Sequence, residues 1–257
     1  MDVTYPSMPL FLVLNPKLVK GMLRPIFEFA NTDLWDFEFA PHDVGIYPII
    51  DKQAYGYEKD DPEWIISRQM PIEECANMII CVYAICRVTG CNDYATENKE
   101  LLLKWGNYLL DHGKKPENQL CTDDFNGHLD NSCNLSIKAI IALYACGDLF
   151  NIAQYKEKAI EYAEWWKSNA KENDHYKLAF DADNTWSIKY NMIWDKIIEA
   201  NDFIAQYAKA CKDQLKFGCT FATLSADSKL GCKIRFHSVQ TASALWNGEK
   251  GRIDCGM

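Results

Sequence analysis

Apolar residues recur at intervals of three and four along most of this chain, and that period predicts α-helices. The stretches between these segments are rich in Gly, Pro, Asp and aromatic residues, which is typical of loops. Alternation of apolar and polar residues, the mark of a strand, is almost absent. We therefore predict an all-α fold. Of its six helices, the first three begin near Asn15, Pro71 and Asp93, the fourth and sixth run through Leu135 and Ile193, and the fifth begins after Asn151.

Polar clusters stand at the starts of alternate predicted helices, near Glu73, Asn131 and Asn191. Their spacing is about 60 residues, which suits an array of helical hairpins. Hairpins packed side by side in the same sense would bring these three helix starts together along one edge, which we call the rim. We interpret the chain as an α/α-toroid of helical hairpins with its cleft at the rim. The alternative is that each cluster only caps its own helix.

The segment between the third and fourth predicted helices, residues 118–138, reads NQLCTDDFNGHLDNSCNLSIK. Titratable and amide side chains crowd this segment directly before an apolar helix. The N-terminus of a helix carries free N–H groups and a partial positive charge, so it favours anionic groups. We therefore place the candidate active site here.

The acidic residues of this chain are compatible with two reactions, hydrolysis of an amide and hydrolysis of a glycoside. An amidase needs a base, a proton donor and stabilisation of an oxyanion, whereas a glycosidase needs two carboxyl groups. Adjacent residues of an extended loop point to opposite sides, so at most one of Asp123 and Asp124 faces the cleft. We predict Asp124 or Asp123 as the general base. Glu73 or Glu74 is the predicted acid, and His128 a proton carrier near neutral pH. Each aspartate could instead be a turn or cap residue.

Further polar and aromatic side chains are predicted to contact a small substrate, with a role as loop supports as the alternative. They are His42, Asp43, Tyr47, Asn77, Asn118, Gln119, Asn131, Trp186, Lys189, Tyr190 and Asn191. We predict no metal ligands and no organic cofactor. A structural calcium ion at acidic residues stays open, although no EF-hand spacing supports it.

Charge and cysteine patterns narrow the class of protein. Acidic residues outnumber basic ones by 36 to 27, and no basic run appears, so neither nucleic acid nor an anionic membrane is an expected partner. No apolar run reaches the roughly 18 residues of a membrane span. The N-terminus lacks the basic region of a signal peptide, so the chain as written is expected in the cytoplasm.

The 11 cysteines include no Cys-x-x-Cys pair, and several are expected in the core: Cys75, Cys81, Cys86 and Cys91.

The helical period stops near Gly218. We expect a helical domain over residues 1–217 and an atypical tail over residues 218–257. The tail holds 5 of the 13 glycines and reads like a frameshifted gene end, with a poorly ordered native tail as the alternative.

Several motifs, in the same order, resemble the glutaminase A family of fungi and bacteria over about residues 2–217. They include APHDVGIYP at 40–48, MPIEECANM at 70–78, DHY at 174–176 and TWSIKYNMIWDK at 185–196. The chain departs from the family's usual pattern at Ala76, Asn126 and Asp130.

The resemblance implies an α/α-toroid of the six-hairpin glycosidase-like kind, here incomplete. It also implies hydrolysis of the side-chain amide of glutamine, a β-rich domain before the toroid in longer relatives, and a secreted or periplasmic location for the family. A carbohydrate-active or sugar-binding toroid domain and an inactive remnant are the alternatives.

Overall fold

The computed structural model describes residues 1–55, 68–122 and 127–194. Helices dominate these ranges, so the predicted all-α class is confirmed. The helices are α1 Thr4–Leu14, α2 Pro16–Ala30, α3 Pro71–Thr89, α4 Asp93–Glu97, α5 Lys99–His112, α6 Cys133–Leu149 and α7 Ala153–Ala170. A short antiparallel pair, β1 Lys171–Glu172 and β2 His175–Tyr176, and a 3-10 helix, Tyr190–Met192, complete the described elements. The continuation of the sixth predicted helix beyond Trp194 and the tail 218–257 lie outside the described residues.

Helices α3 and α6 form the centre of the molecule and pack against each other. Each is buried over nearly its whole length, residues 72–86 in α3 and residues 133–147 in α6. A helix that is apolar on all sides has to be covered on all sides. Helix α5 covers α3, helix α7 covers α6, and the α1–α2 pair packs against α3.

The outer helices bury one stripe each, at the spacing that the sequence predicts. Helix α5 buries Leu102, Trp105 and Leu109, and α7 buries Tyr162 and Trp166. Trp105 and Trp166 are among the largest fully buried side chains. Truncating such a residue to alanine typically costs about 3–5 kcal/mol, because it removes apolar contact and leaves a cavity.

The ends of the helices follow local sequence signals. Asn15 caps α2 by accepting a hydrogen bond from the N–H of Lys17, and Pro16 occupies the first turn. Gly90 ends α3 in the left-handed conformation with φ of 65°, which glycine adopts without a Cβ clash. Ser132 caps α6 by accepting from the N–H of Leu135.

Two features differ from the prediction. The proline-rich start forms helix α1, with Pro9 inside it, because Tyr5, Met8 and Leu12 lie on one face and are buried in the core. Tertiary burial there outweighs the loss of a backbone hydrogen bond at proline. The third predicted helix is divided into α4 and α5 at Asn98, whose side chain donates to the carbonyl of Tyr94.

The cysteines and the membrane prediction can be checked directly. Cys75, Cys81 and Cys86 are buried, as predicted, and Cys91 is half-buried. In the part of the chain that the structure describes, no helix combines the length and the apolar character needed to cross a membrane.

Candidate functional site

Three helix starts meet at the rim, as the spacing of the polar clusters predicts. The backbone N–H of Asn191, in the 3-10 helix, donates to Asn134 Oδ1 of α6 at 3.4 Å, and its side-chain amide donates to the Asn134 carbonyl at 3.0 Å. Lys138 Nζ, one turn further along α6, lies 2.6 Å from Glu73 Oε1 at the start of α3. Helix α1 joins them, because Tyr5 donates to Asn191 Oδ1 at 2.9 Å.

Glu73 accepts several hydrogen bonds at the rim. It is fully buried, and its Oε1 accepts from Lys138 Nζ, from the N–H of Thr122 at 3.1 Å and from the Thr122 hydroxyl. Asn77 Nδ2 lies at 3.4 Å from the same oxygen. The other oxygen, Oε2, has no hydrogen-bond partner among the described residues. One carboxylate oxygen thus fixes a helix and a loop together.

Lys138 is a functional candidate that the sequence analysis missed. Its ammonium is fully buried, donates to Glu73 Oε1 and to Asn77 Oδ1 at 2.9 Å, and lies 3.8 Å from the centre of the Tyr5 ring. A buried charge needs a partner of opposite sign and further hydrogen bonds, and Lys138 has both. The available signal was one lysine inside the apolar run of α6.

The loop that precedes Asp123 is fixed by Gln119 and Thr122. The side chain of Gln119 caps α3, because its Oε1 accepts from the N–H groups of Ile72 at 3.0 Å and Glu73 at 3.3 Å. Its backbone carbonyl accepts from the N–H of Leu129 at 3.1 Å, which closes the loop at its base. Asp123 and Asp124 lie outside the described residues, and Thr122 directly precedes them.

Glu74 faces a second polar cluster beside the rim. Its Oε2 accepts from Asn77 Nδ2 at 3.1 Å, and its Oε1 lies 3.5 Å from the N-terminal ammonium of Met1. The side chain is fully buried. Burial raises the pKa of Glu74 to about 7, although the ammonium and His42 partly counteract it.

His42 lies between two aspartates in this cluster. Its Nδ1 is 3.0 Å from Asp43 Oδ2, and its Nε2 is 3.3 Å from Asp2 Oδ1. Burial disfavours the charged ring, but the hydrogen bonds to Asp2 and Asp43 outweigh burial and raise the pKa of His42 to about 9. The hydrogen bond from His42 lowers the pKa of Asp2 to about 2.

Asp43 holds a loop together through its carboxylate. It accepts from the backbone N–H groups of Gly45 at 2.8 Å, Ala54 at 2.7 Å and Tyr55 at 2.9 Å. Burial alone would raise the pKa of Asp43, yet these hydrogen bonds and His42 lower it to about 2.

The remaining predicted residues divide into exposed and buried sets. His128, Asn118, Tyr47 and Trp186 are exposed. Asn131 is buried and donates to Asp181 Oδ2, and Lys189 is buried and donates to the carbonyl and hydroxyl of Ser187. Tyr190 is half-buried beside Asn191 in the 3-10 helix.

Fold and site together define a helical-hairpin protein with a buried polar cluster where successive helix starts meet. The chain belongs to the glutaminase A six helical-hairpin domain family, which it matches over residues 1–220. It is 33% identical over 213 residues to glutaminase A of Aspergillus oryzae, a match that covers 78% of this chain and 30% of that protein.

A second relative agrees with this membership. The chain is 24% identical over 264 residues to a protein of Arthroderma benhamiae named "Probable glutaminase", covering 77% of this chain and 30% of the relative. The chain therefore matches less than a third of the length of either protein.

Proposed function

We propose that this chain is a glutaminase A-like hydrolase domain that converts the side-chain amide of glutamine to glutamate and ammonia at the rim. Family membership supports the reaction class. The observation that supports an active site at the rim is that Thr122 donates to Glu73 through both its N–H and its hydroxyl. That attachment anchors the residue before Asp123 to the buried start of α3.

In this mechanism Asp124 or Asp123 is the general base. It takes a proton from water, the resulting hydroxide attacks the amide carbon, and a tetrahedral oxyanion forms. Collapse of that intermediate breaks the C–N bond, and the nitrogen takes up a proton and leaves as ammonia. Thr122, the residue directly before these aspartates, is anchored to Glu73, and catalysis is faster when a base is held in position before the substrate arrives.

Glu73 is assigned here as a positioning residue and not as the acid. Its Oε1 accepts hydrogen bonds from Lys138 and Thr122, so it holds the start of α3, helix α6 and the loop together. His128 follows these aspartates in the chain and is exposed, so it is our candidate for the proton that ammonia requires.

Asn134 is our candidate donor to the oxyanion. It lies in the first turn of α6 and is buried. Its Nδ2 has no hydrogen-bond partner among the residues that the structure describes. An amide donor held in a buried site stabilises a developing negative charge more strongly than the same donor in water.

The test is ammonia release from glutamine by the 257-residue chain, with asparagine and nitrophenyl glycosides as comparison substrates. We expect release from glutamine, and a loss of about 100-fold or more in kcat for Asp124→Asn or Asp123→Asn. Asp130→Asn is the matched control, since Asp130 is an exposed aspartate of the same segment. Absence of ammonia release, or full activity in both aspartate variants, would contradict the proposal.

A further inference from the structure

We propose that Asp2, His42 and Glu74 form a binding site for a divalent transition-metal ion. Each residue offers one ligand atom, and these atoms all lie within 4.8 Å of one another. The site uses none of the residues at 119–128, and Asn77, which donates to both Glu73 and Glu74, is the neighbour that it shares with the rim.

The orientation of His42 is the first argument. Asp43 Oδ2 engages Nδ1 at 3.0 Å and leaves Nε2 facing Asp2 Oδ1 at 3.3 Å. Three backbone N–H groups hold Asp43 in turn. Histidines that bind metal commonly have this arrangement, in which a fixed carboxylate bonds one ring nitrogen and the other nitrogen binds the ion.

The state of Glu74 is a second and independent argument. The side chain is fully buried, and Asn77 holds its Oε2. Its Oε1 has no hydrogen-bond donor among the described residues, although the Met1 ammonium lies at ion-pair distance, 3.5 Å. That ammonium donates to the His42 carbonyl at 2.6 Å. A buried carboxylate oxygen without a hydrogen-bond donor is suited to bind a metal ion directly.

The ligand set selects the class of ion. One imidazole with two carboxylates suits Zn²⁺, Mn²⁺ or Fe²⁺, whereas Ca²⁺ and Mg²⁺ prefer oxygen ligands alone. Ligand atoms about 2.1 Å from a metal lie roughly 3.4 Å apart in a tetrahedron. The Asp2–His42 separation of 3.3 Å already meets that value. The other separations, which are within 4.8 Å, have to shorten by at most about 1.4 Å to reach the tetrahedral value.

A second His–Asp–Glu group in the structure provides the control. His175 Nε2 lies 3.0 Å from Glu172 Oε2, and its Nδ1 lies 3.5 Å from Asp174 Oδ1. The two acids engage opposite ring nitrogens, so one ion cannot bind both acids together with an imidazole nitrogen. His175→Asn therefore changes the same residue type without touching the proposed site.

Mn²⁺ is the probe, because the 11 cysteines would compete for softer ions. The full chain, carrying any tag at its C-terminus, is titrated with Mn²⁺, and the free ion is followed by its electron paramagnetic resonance signal. We expect saturable binding of one ion per chain, release of that ion by Zn²⁺, and retention in the presence of Ca²⁺.

The variants locate the ion. Asp2→Asn and Glu74→Gln should each weaken Mn²⁺ binding about tenfold or more, and Asp43→Asn by about 10–100-fold through the orientation of His42. Circular dichroism shows whether each variant is folded, and the partly exposed Asp2 gives one variant that leaves the core intact. His175→Asn should bind as the unmodified chain does. No binding up to about 1 mM, unchanged binding in Asp2→Asn, or equal release by Ca²⁺ would overturn the proposal.

Discussion

Two ion pairs that helix α6 forms with its neighbours have the same N–O distance, 2.6 Å, and opposite surroundings. Lys138 and Glu73, at the rim, are both fully buried, whereas the side chains of Lys156 and Asp148 are 30% and 29% exposed. Lys138 and Asp148 stand on the same helix, ten residues or about 15 Å apart.

Burial, and not the length of the bond, separates these pairs. Water solvates Lys156 and Asp148 when either partner is removed, so their attraction contributes little. In the rim pair no water compensates, and removing one partner leaves a buried charge in a medium that stabilises it poorly. We therefore expect the effects of mutation to be large at the rim and small at the other end of α6.

The largest effect is expected for Lys138→Met. It leaves Glu73 buried without its counter-ion, which should lower the free energy of unfolding by about 3–5 kcal/mol. For a domain of this size that corresponds to roughly 10 °C in Tm. Urea unfolding and calorimetry provide the measurement.

The double variant Lys138→Met with Glu73→Gln separates charge from packing. Because it removes both charges, we expect it to recover part of the lost stability. If the free energy of unfolding of the single Lys138→Met variant lay within about 1 kcal/mol of that of the unmodified chain, burial would not explain a difference in stability between the two pairs.

A smaller effect is expected for Thr122→Val. The change keeps the backbone hydrogen bond to Glu73 and removes the hydroxyl bond, at a cost of about 1–2 kcal/mol. Thr96→Val is the matched control, because the Thr96 hydroxyl bonds the Asn92 carbonyl in an exposed position. Equal losses in the two variants, measured by urea unfolding, would speak against a special role for the buried network.

At the exposed pair, Lys156→Met should change the free energy of unfolding by no more than about 1 kcal/mol. In this variant Asp148 keeps its hydrogen bond from Tyr83, at 3.0 Å, and water solvates the carboxylate oxygen that Lys156 no longer contacts. Added salt should reduce even this difference, since ions screen an exposed pair. A loss comparable to that of Lys138→Met would invalidate the comparison.

The smallest effect concerns pH. Burial acts to raise the pKa of Asp148, but hydrogen bonds from Lys156 and Tyr83 outweigh burial and lower it from 3.8. A lowered pKa in the folded chain means that the carboxylate form stabilises the fold. This contribution is present above the ordinary pKa and is lost as pH falls through the lowered value. The Tm difference between the unmodified chain and Asp148→Asn should therefore shrink below about pH 4. A Tm difference that grew below that pH would mean that the carboxylate form of Asp148 does not stabilise the fold.

Local signals in the sequence predicted much of the fold. The convergence of Glu73 and Asn191 at the rim follows from the spacing of helix starts, and Asn15 marks the start of α2 as expected. Helix α1 was missed, because Pro9 argues against a helix locally while burial of its neighbours decides the outcome.

The site was harder to predict, because its contacts join distant parts of the chain. Glu73 was identified as a polar residue at a helix start, but its partner Lys138 lies 65 positions away on another helix. No periodic pattern specifies which buried cation meets which carboxylate. Pairing of that kind depends on how α3 and α6 pack, which a single sequence does not encode as a local signal.

The cap of α3 has a consequence for the order of folding. The N–H groups of Ile72 and Glu73 donate to a side chain that lies 47 and 46 positions further along the chain. During synthesis, the first turn of α3 is made before Gln119, so its amides have no such acceptor until that residue arrives. The start of α3 and the loop that caps it therefore become protected from hydrogen exchange in one cooperative step.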